Sequence, residues 1–107
     1  MVAQVLLENS MDPNAKKWDN GTLLHSAHNE RVTRILLEYG ADPNARDSEG
    51  QTPLHHPMRT DNAEVARVLL KNGIDANSRD VMNQTPLHVA SKKGHLDCVR
   101  LLLVRQR

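Results

Sequence analysis

The 107-residue sequence has very few aromatic residues: Trp18, Tyr39 and no phenylalanine. Each aromatic side chain buries on the order of 150–250 Å² in a folded protein. A single compact core built around large rings is therefore excluded, and leucine, valine, alanine and isoleucine must supply the burial. This composition favours many small contacts along the chain over one large hydrophobic centre.

Long apolar runs, paired cysteines and an excess of charge are also missing. No apolar run exceeds Leu101 to Val104, which excludes a membrane-spanning helix. The single cysteine, Cys98, excludes a disulfide framework and favours a reducing compartment. Residues Met1 to Ser10 lack the basic and apolar regions of a signal peptide, so we expect a cytoplasmic or nuclear protein that is not secreted by that route. The formal net charge of +1 gives no indication of bulk nucleic-acid binding.

What the sequence does contain is a repeat. A phrase of the type Thr-x-Leu-His begins at Thr22, Thr52 and Thr85, with spacings of 30 and 33 residues. Two further phrases recur in the same register: leucine pairs at Leu6-Leu7, Leu36-Leu37, Leu69-Leu70 and Leu102-Leu103, and aspartate phrases that begin at Asp12, Asp42 and, loosely, Asp75. Three phrases in one register indicate a protein built from internal repeats.

Each repeat carries the start signals of a first helix. Thr52 and Thr85 each precede a proline, which predicts an N-cap hydroxyl followed by proline at the first helical position. Thr22 is expected to cap in the same way, although a leucine follows it. This repeat is three residues shorter than the others, so we expect its first helix to be truncated. In the next repeat Pro57 removes a backbone donor and is expected to tighten or kink the helix.

A second helix follows in each repeat, with apolar residues at helical spacing. Asn29 and Asn62 are expected to be the N-caps of these helices, and Gly40 and Gly73 to supply the left-handed conformation that ends them. The earliest equivalent of these glycines is Ser10. Polar segments at 41–50 and 74–84 then lead to the next threonine, and each predicts a projecting hairpin.

This pattern resembles the ankyrin repeat, most clearly in the segment Thr85-Pro86-Leu87-His88-Val89-Ala90, in Gly94-His95 and in Leu101-Leu102-Leu103. The resemblance covers essentially the whole chain. It implies an all-α repeat solenoid of stacked helix-turn-helix ankyrin repeats with projecting β-hairpin loops. The expected single domain, 1–107, divides into a C-terminal half repeat at 1–15, a shortened repeat at 16–46, a full repeat at 47–79 and a nearly full repeat at 80–107.

The resemblance also implies a function, namely a non-enzymatic module that binds a partner protein through its hairpin tips and its concave first-helix face. The positions that correspond to this surface are Trp18, Asp19, Ser48, Glu49, Arg59, Thr60, Val81, Met82, Lys92 and Lys93, with Ser26 less clearly placed. The positions of the structural motif are Thr22, His25, Thr52, Pro53, His55, Thr85, Pro86, His88, Gly40 and Gly73. The three histidines are expected to brace the hairpin backbone.

Other functions are less consistent with the sequence. Three of the six histidines fall one to a repeat, too far apart to share a metal ion, and we expect no metal and no cofactor. Cys98 is interpreted as a small buried hydrophobe, because no activating base is evident beside it. One alternative is a regulatory or targeting segment of a larger multidomain protein whose activity lies elsewhere. Another is self-association through end faces at Val2-Val5-Leu6 and Leu101–Val104. Whether Trp18 contacts a partner or folds onto the neighbouring hairpin stays open.

Overall fold

A computed structural model describes residues 12–105, and within this range the chain forms six helices and no strand. The helices are α1 (Leu23–Ser26), α2 (Glu30–Glu38), α3 (His55–Thr60), α4 (Ala63–Lys71), α5 (Pro86–Lys93) and α6 (Leu96–Arg105). The predictions that concern Ser10 and the end face of Val2, Val5 and Leu6 lie outside the described residues, as does most of the expected half repeat.

The six helices form two layers. Successive helices pack as pairs, α1 with α2, α3 with α4, and α5 with α6. The second helices of the pairs, α2, α4 and α6, pack against one another in chain order, and the first helices α3 and α5 do the same. The predicted all-α repeat solenoid is therefore confirmed, and the molecule measures 40 × 25 × 21 Å.

The core between the layers is aliphatic. Leu24, Leu36, Leu54 and Leu69 are at most 1% exposed, and the buried cluster of the described residues contains no aromatic ring. Trp18 is 96% exposed. Burying one such leucine contributes about 1.5–3 kcal/mol. The scarcity of aromatic residues thus follows from the architecture, because narrow gaps between two helical layers are filled by leucine, valine and alanine.

The ends of the second helices follow their predicted signals. The Asn29 side chain accepts hydrogen bonds from the backbone N–H groups of Arg31 and Val32 at 2.8 and 3.3 Å, and Asn62 caps α4 in the same manner. Gly40 and Gly73 follow the C-caps of α2 and α4 with φ angles of 95° and 81°. These values lie in the region that L-residues with a side chain rarely adopt, so glycine ends both helices.

The first helix of the shortened repeat is truncated, as expected. α1 has four residues, whereas α5 has eight. After Ser26 the backbone turns to an extended conformation at Ala27, with φ −69° and ψ 120°. The carbonyl of His28 accepts a hydrogen bond from the Asn62 side chain at 2.9 Å, which ties the short connection to the next repeat.

The prediction that Thr52 caps a helix beginning near Pro53 is wrong in its details, because α3 begins at His55 and its N-cap is Leu54. Pro57 has no N–H group to donate to the carbonyl of Pro53, so a helix that began at Pro53 would lack this hydrogen bond near its start. The segment instead turns through a bond from the His55 N–H to the Thr52 carbonyl at 3.1 Å. In α5, where no proline follows, Thr85 and Pro86 occupy the predicted N-cap and first helical positions.

Three polar loops project from the stack, one before each described helix pair, and we call them finger 1 (12–22), finger 2 (42–52) and finger 3 (75–85). Each tip is a tight turn closed by a backbone hydrogen bond of 2.8–3.0 Å, such as the bond from Asp47 N–H to the Gln51 carbonyl. Neighbouring tips are joined by one backbone bond each, from Ser48 to Asp19 and from Val81 to Glu49, both 2.9 Å. These bonds are too few for a β-ladder, which is why the described fingers are turns without strands.

Candidate partner-binding surface

A threonine–histidine pair lies at the base of each finger, and the first two of these pairs hold the next finger in place. The Thr52 N–H donates to Nδ1 of His55 at 3.1 Å, and Nε2 of His55 lies 3.1 Å from the Gln84 carbonyl in finger 3. Because Nδ1 accepts, Nε2 carries the proton and donates to that carbonyl. His25 makes the equivalent bond to the Gln51 carbonyl in finger 2, at 2.8 Å.

His88 occupies the same position in the third repeat but has a different environment. Its Nδ1 accepts from the Thr85 N–H at 3.2 Å. The residue is exposed, and within residues 12–105 no carbonyl accepts a bond from its Nε2. Of the three motif histidines, His25 and His55 therefore bridge two repeats, whereas His88 bonds only within its own.

Further polar bonds fix the fingers relative to one another. Arg46 in finger 2 donates to the Arg79 carbonyl in finger 3 at 2.7 Å, and Lys16 in finger 1 donates to the Arg46 carbonyl at 3.1 Å. Asn14 and Asn44 accept from the backbone N–H groups of the following fingers, at Asp42 and Asp75 respectively. With these bonds in place the fingers form a rigid row, which presents its tips at fixed spacing.

The tips carry large apolar side chains in contact with solvent. Trp18 is 96% exposed, Val81 68% and Met82 75%. The structure does not fold the Trp18 ring back onto the neighbouring finger. The polar tip positions are Ser48 and Glu49, which are exposed, and Asp19, which is half-buried. An exposed row of this kind contributes nothing to the core, so its side chains are available to a partner.

The predicted first-helix positions lie beside this row. Arg59 on α3 is half-buried and Thr60 is exposed, as are Lys92 and Lys93 at the end of α5. Ser26 is exposed at the end of α1. We call the exposed surface of α1, α3 and α5 the first-helix face.

A groove runs between the first two finger tips and the first-helix face, and it includes residues that the sequence analysis did not assign to the surface. Lys17, Asp47 and His56 line it together with Arg59. Burial lowers the pKa of His56, and the nearby charges of Arg59 and His28 lower it further. Lys17 could have been found by aligning the finger turns, since it takes the place of Asp47 and Asp80 in the later fingers.

Two titratable groups of the interior, His55 and Cys98, have structural roles. His55 is fully buried, and burial lowers its pKa despite the opposing hydrogen bond to the Gln84 carbonyl. Burial, reinforced by the side chain of Asp61, raises the pKa of the Cys98 thiol to about 12. This thiol is protonated at neutral pH, so it is a poor nucleophile. Among residues 12–105, no three His, Cys, Asp or Glu side chains are grouped closely enough to hold a metal ion.

Stacked helix pairs with a rigid row of projecting tips define a helical repeat protein with an exposed lateral surface. A model of the family described as ankyrin repeats (three copies) matches residues 34–107, and one described as ankyrin repeat matches residues 19–48. The chain therefore belongs to the ankyrin repeat family. Ankyrin repeats generally act as protein–protein interaction modules and are typically non-enzymatic.

No curated protein matches the chain as a relative. None of the helices in the described range has the length and apolar character needed to cross a membrane.

Proposed function

We propose that the chain is a non-enzymatic module that binds a partner protein through its finger tips and its first-helix face. The observation that carries this proposal is the solvent exposure of Trp18, Val81 and Met82 on fingers that are otherwise polar. Tryptophan is enriched among the residues that dominate binding energy at interfaces.

The rigidity of the fingers supports the same assignment. Association loses less free energy when the binding groups are already ordered, because fewer rotamers and loop conformations must be fixed. The bonds of His25, His55 and Arg46 order the fingers before a partner arrives. The tips can then act as preorganised anchors.

The interior offers no competing chemistry. The only cysteine is fully buried with a strongly raised pKa, and the two histidines that bridge repeats spend both ring nitrogens on hydrogen bonds. We infer a binding protein without a cofactor, acting in the cytoplasm or nucleus, where a reduced thiol is stable.

The proposal is tested by truncating the two apolar anchors together, in the variant Trp18→Ala/Met82→Ala. Proteins captured from a cell lysate by the immobilised chain are identified by mass spectrometry, and the dissociation constant of the strongest is measured for each variant. We expect binding to weaken at least tenfold, since anchor side chains that become buried in an interface each contribute more than about 1 kcal/mol. The helical circular dichroism should stay unchanged, because both side chains are exposed.

Tyr39→Ala serves as the matched control, because Tyr39 is a partly exposed aromatic residue at the end of α2, outside the proposed surface. It should leave the dissociation constant within about twofold. Equal losses for both variants, or no loss for Trp18→Ala/Met82→Ala, would mean that the partner binds elsewhere.

A further inference from the structure

The acidic residues of the helices are confined to one of the two layers, whereas cations occur on both. The first helices α1, α3 and α5 contain no aspartate or glutamate. All acidic residues of the described helices lie on the second helices, at Glu30, Glu38, Glu64 and Asp97. The first-helix face carries three cations, Arg59, Lys92 and Lys93. It is therefore a cationic surface on helices that carry no compensating acid.

The second helices mix both signs of charge, with four carboxylates among six cations. The ion pair recorded between described residues joins Arg34 and Glu30 on α2 at 3.3 Å. The groove between α2 and α4 also brings Glu64 together with Arg67 and Lys71. The cations of the first-helix face have no carboxylate within ion-pair distance in the part of the chain that the structure describes.

The aspartates beside this face, Asp19, Asp47 and Asp61, already interact with other groups. One carboxylate oxygen of Asp47 accepts two backbone N–H groups of its own finger, each at 2.9 Å, and Asp19 accepts one at 2.9 Å. Asp61 follows α3, and its carboxylate acts on the Cys98 thiol of α6, whose pKa it helps to raise. None of these groups pairs with Arg59, Lys92 or Lys93.

The cations repeat with the register of the fold. Arg59 is the seventh residue after Thr52, and Lys92 is the seventh after Thr85. The two lie at equivalent positions on α3 and α5, which pack side by side. Packed helices lie roughly 8–10 Å apart. An extended chain that rises about 3.3 Å per residue would cover this distance in about three residues.

We propose that the first-helix face binds an acidic segment of the partner protein, whose carboxylates pair with Arg59, Lys92 and Lys93. This inference rests on the proposed function and adds the chemistry of the partner to it. A protein segment is favoured over a nucleic acid because the chain has a net charge of only +1, and a single exposed tryptophan offers no series of aromatic rings for stacking bases.

The test is selection of binders from a random peptide library displayed on phage, using the full chain as bait. The dissociation constants of the selected peptides are then measured by fluorescence anisotropy. We expect the peptides to be enriched in aspartate and glutamate. Replacing these residues with asparagine and glutamine should weaken binding about tenfold, because several exposed ion pairs, each modest, are lost together. Added salt should also weaken the binding of the acidic peptides, because it screens the attraction between exposed charges.

Two charge-matched variants locate the site. Arg59→Gln/Lys92→Gln/Lys93→Gln removes three cations from the first-helix face, and Arg67→Gln/Lys71→Gln/Arg100→Gln removes three exposed cations from the second helices. The first should weaken the acidic peptides about tenfold and the second less than twofold. Because Arg59 is half-buried, its replacement could also disturb the fold, so Lys92→Gln/Lys93→Gln is measured as well. Weaker binding by both this variant and Arg59→Gln/Lys92→Gln/Lys93→Gln supports the site.

Other outcomes overturn the inference in distinguishable ways. Equal losses for the two triple variants would show a general charge effect without a site. Oligothymidine that binds as tightly as the peptides and is equally sensitive to Arg59→Gln/Lys92→Gln/Lys93→Gln would assign the face to nucleic acid. Peptides that contain few acids but depend on Trp18 and Met82 would overturn this inference and leave the proposed function intact. Peptides that depend on neither surface, or no selected peptide at all, would count against both.

Discussion

The hydrogen bonds from motif histidines to the next finger predict that identical substitutions have unequal effects along the stack. His55 is fully buried between two repeats, whereas His88 is exposed. Replacing His55 with alanine removes the bonds to Thr52 and Gln84 and leaves a cavity where the ring lay. Replacing His88 removes only bonds to Thr85, and water can take the place of the ring.

The expected magnitudes follow from these contacts. In His55→Ala, the Thr52 N–H is left buried without its acceptor, while the Gln84 carbonyl keeps its bond from Asp80. One unsatisfied buried donor, one lost inter-repeat bond and a partial cavity together cost about 3 kcal/mol of unfolding free energy. For the exposed His88→Ala we expect about 1 kcal/mol, the value of a typical lost hydrogen bond.

Urea unfolding followed by circular dichroism measures both variants against the parent chain. An unchanged slope of the free energy with urea would show that the midpoint reports stability alone. At the midpoint of thermal unfolding, each 1 kcal/mol corresponds to roughly 4 °C or more in a domain of this size. Equal losses for His55→Ala and His88→Ala would refute the reasoning, because the bond between repeats would then contribute nothing beyond the bond within one.

Two further predictions concern pH and thiol chemistry. Burial lowers the pKa of His55, so the unfolded chain binds more protons than the folded chain as the pH falls below about 6.5. The urea midpoint should therefore be flat above that pH and decrease below it, and the decrease should be less steep in His55→Ala. A midpoint that rises on acidification would contradict this. Cys98 is buried with a pKa of about 12, so Ellman's reagent should react with it only after unfolding; rapid reaction with the native chain would show that the thiol is accessible.

Much of the fold could be predicted from local signals, because the features concerned depend on a few neighbouring residues. Asn29 caps its helix through N–H groups two and three residues away, and Gly40 ends the same helix through its own φ angle. The pair of Thr85 and Pro86 starts α5 without help from distant residues. The deletion in the first repeat likewise indicated the short α1.

The later start of α3 and the exposure of Trp18 depend on less local effects. The sequence showed that Pro57 lacks a donor, but not that the first turn would close through His55 and Thr52 instead. Whether Trp18 packs on a neighbour depends on the geometry between fingers, which is set by long-range bonds such as the one from Ser48 to Asp19.

The candidate site was only partly accessible to sequence reasoning for a similar reason. The tip positions follow directly from the repeat register. The groove residues Lys17 and His56 come together only after the first finger is placed against α3. The confinement of acidic residues to the second helices also became visible only with the helix bounds, because in the sequence Asp61 stands directly after α3.

The central claim is that the finger tips and the first-helix face form the binding surface of this ankyrin repeat protein. Its most direct test is the shift of backbone amide NMR signals when the strongest binding partner or selected peptide is added. We expect the shifted signals to lie in the tips around Trp18, Ser48 and Val81 and on α3 and α5, while α2 and α4 stay unchanged. Shifts confined to α2 and α4 would contradict it.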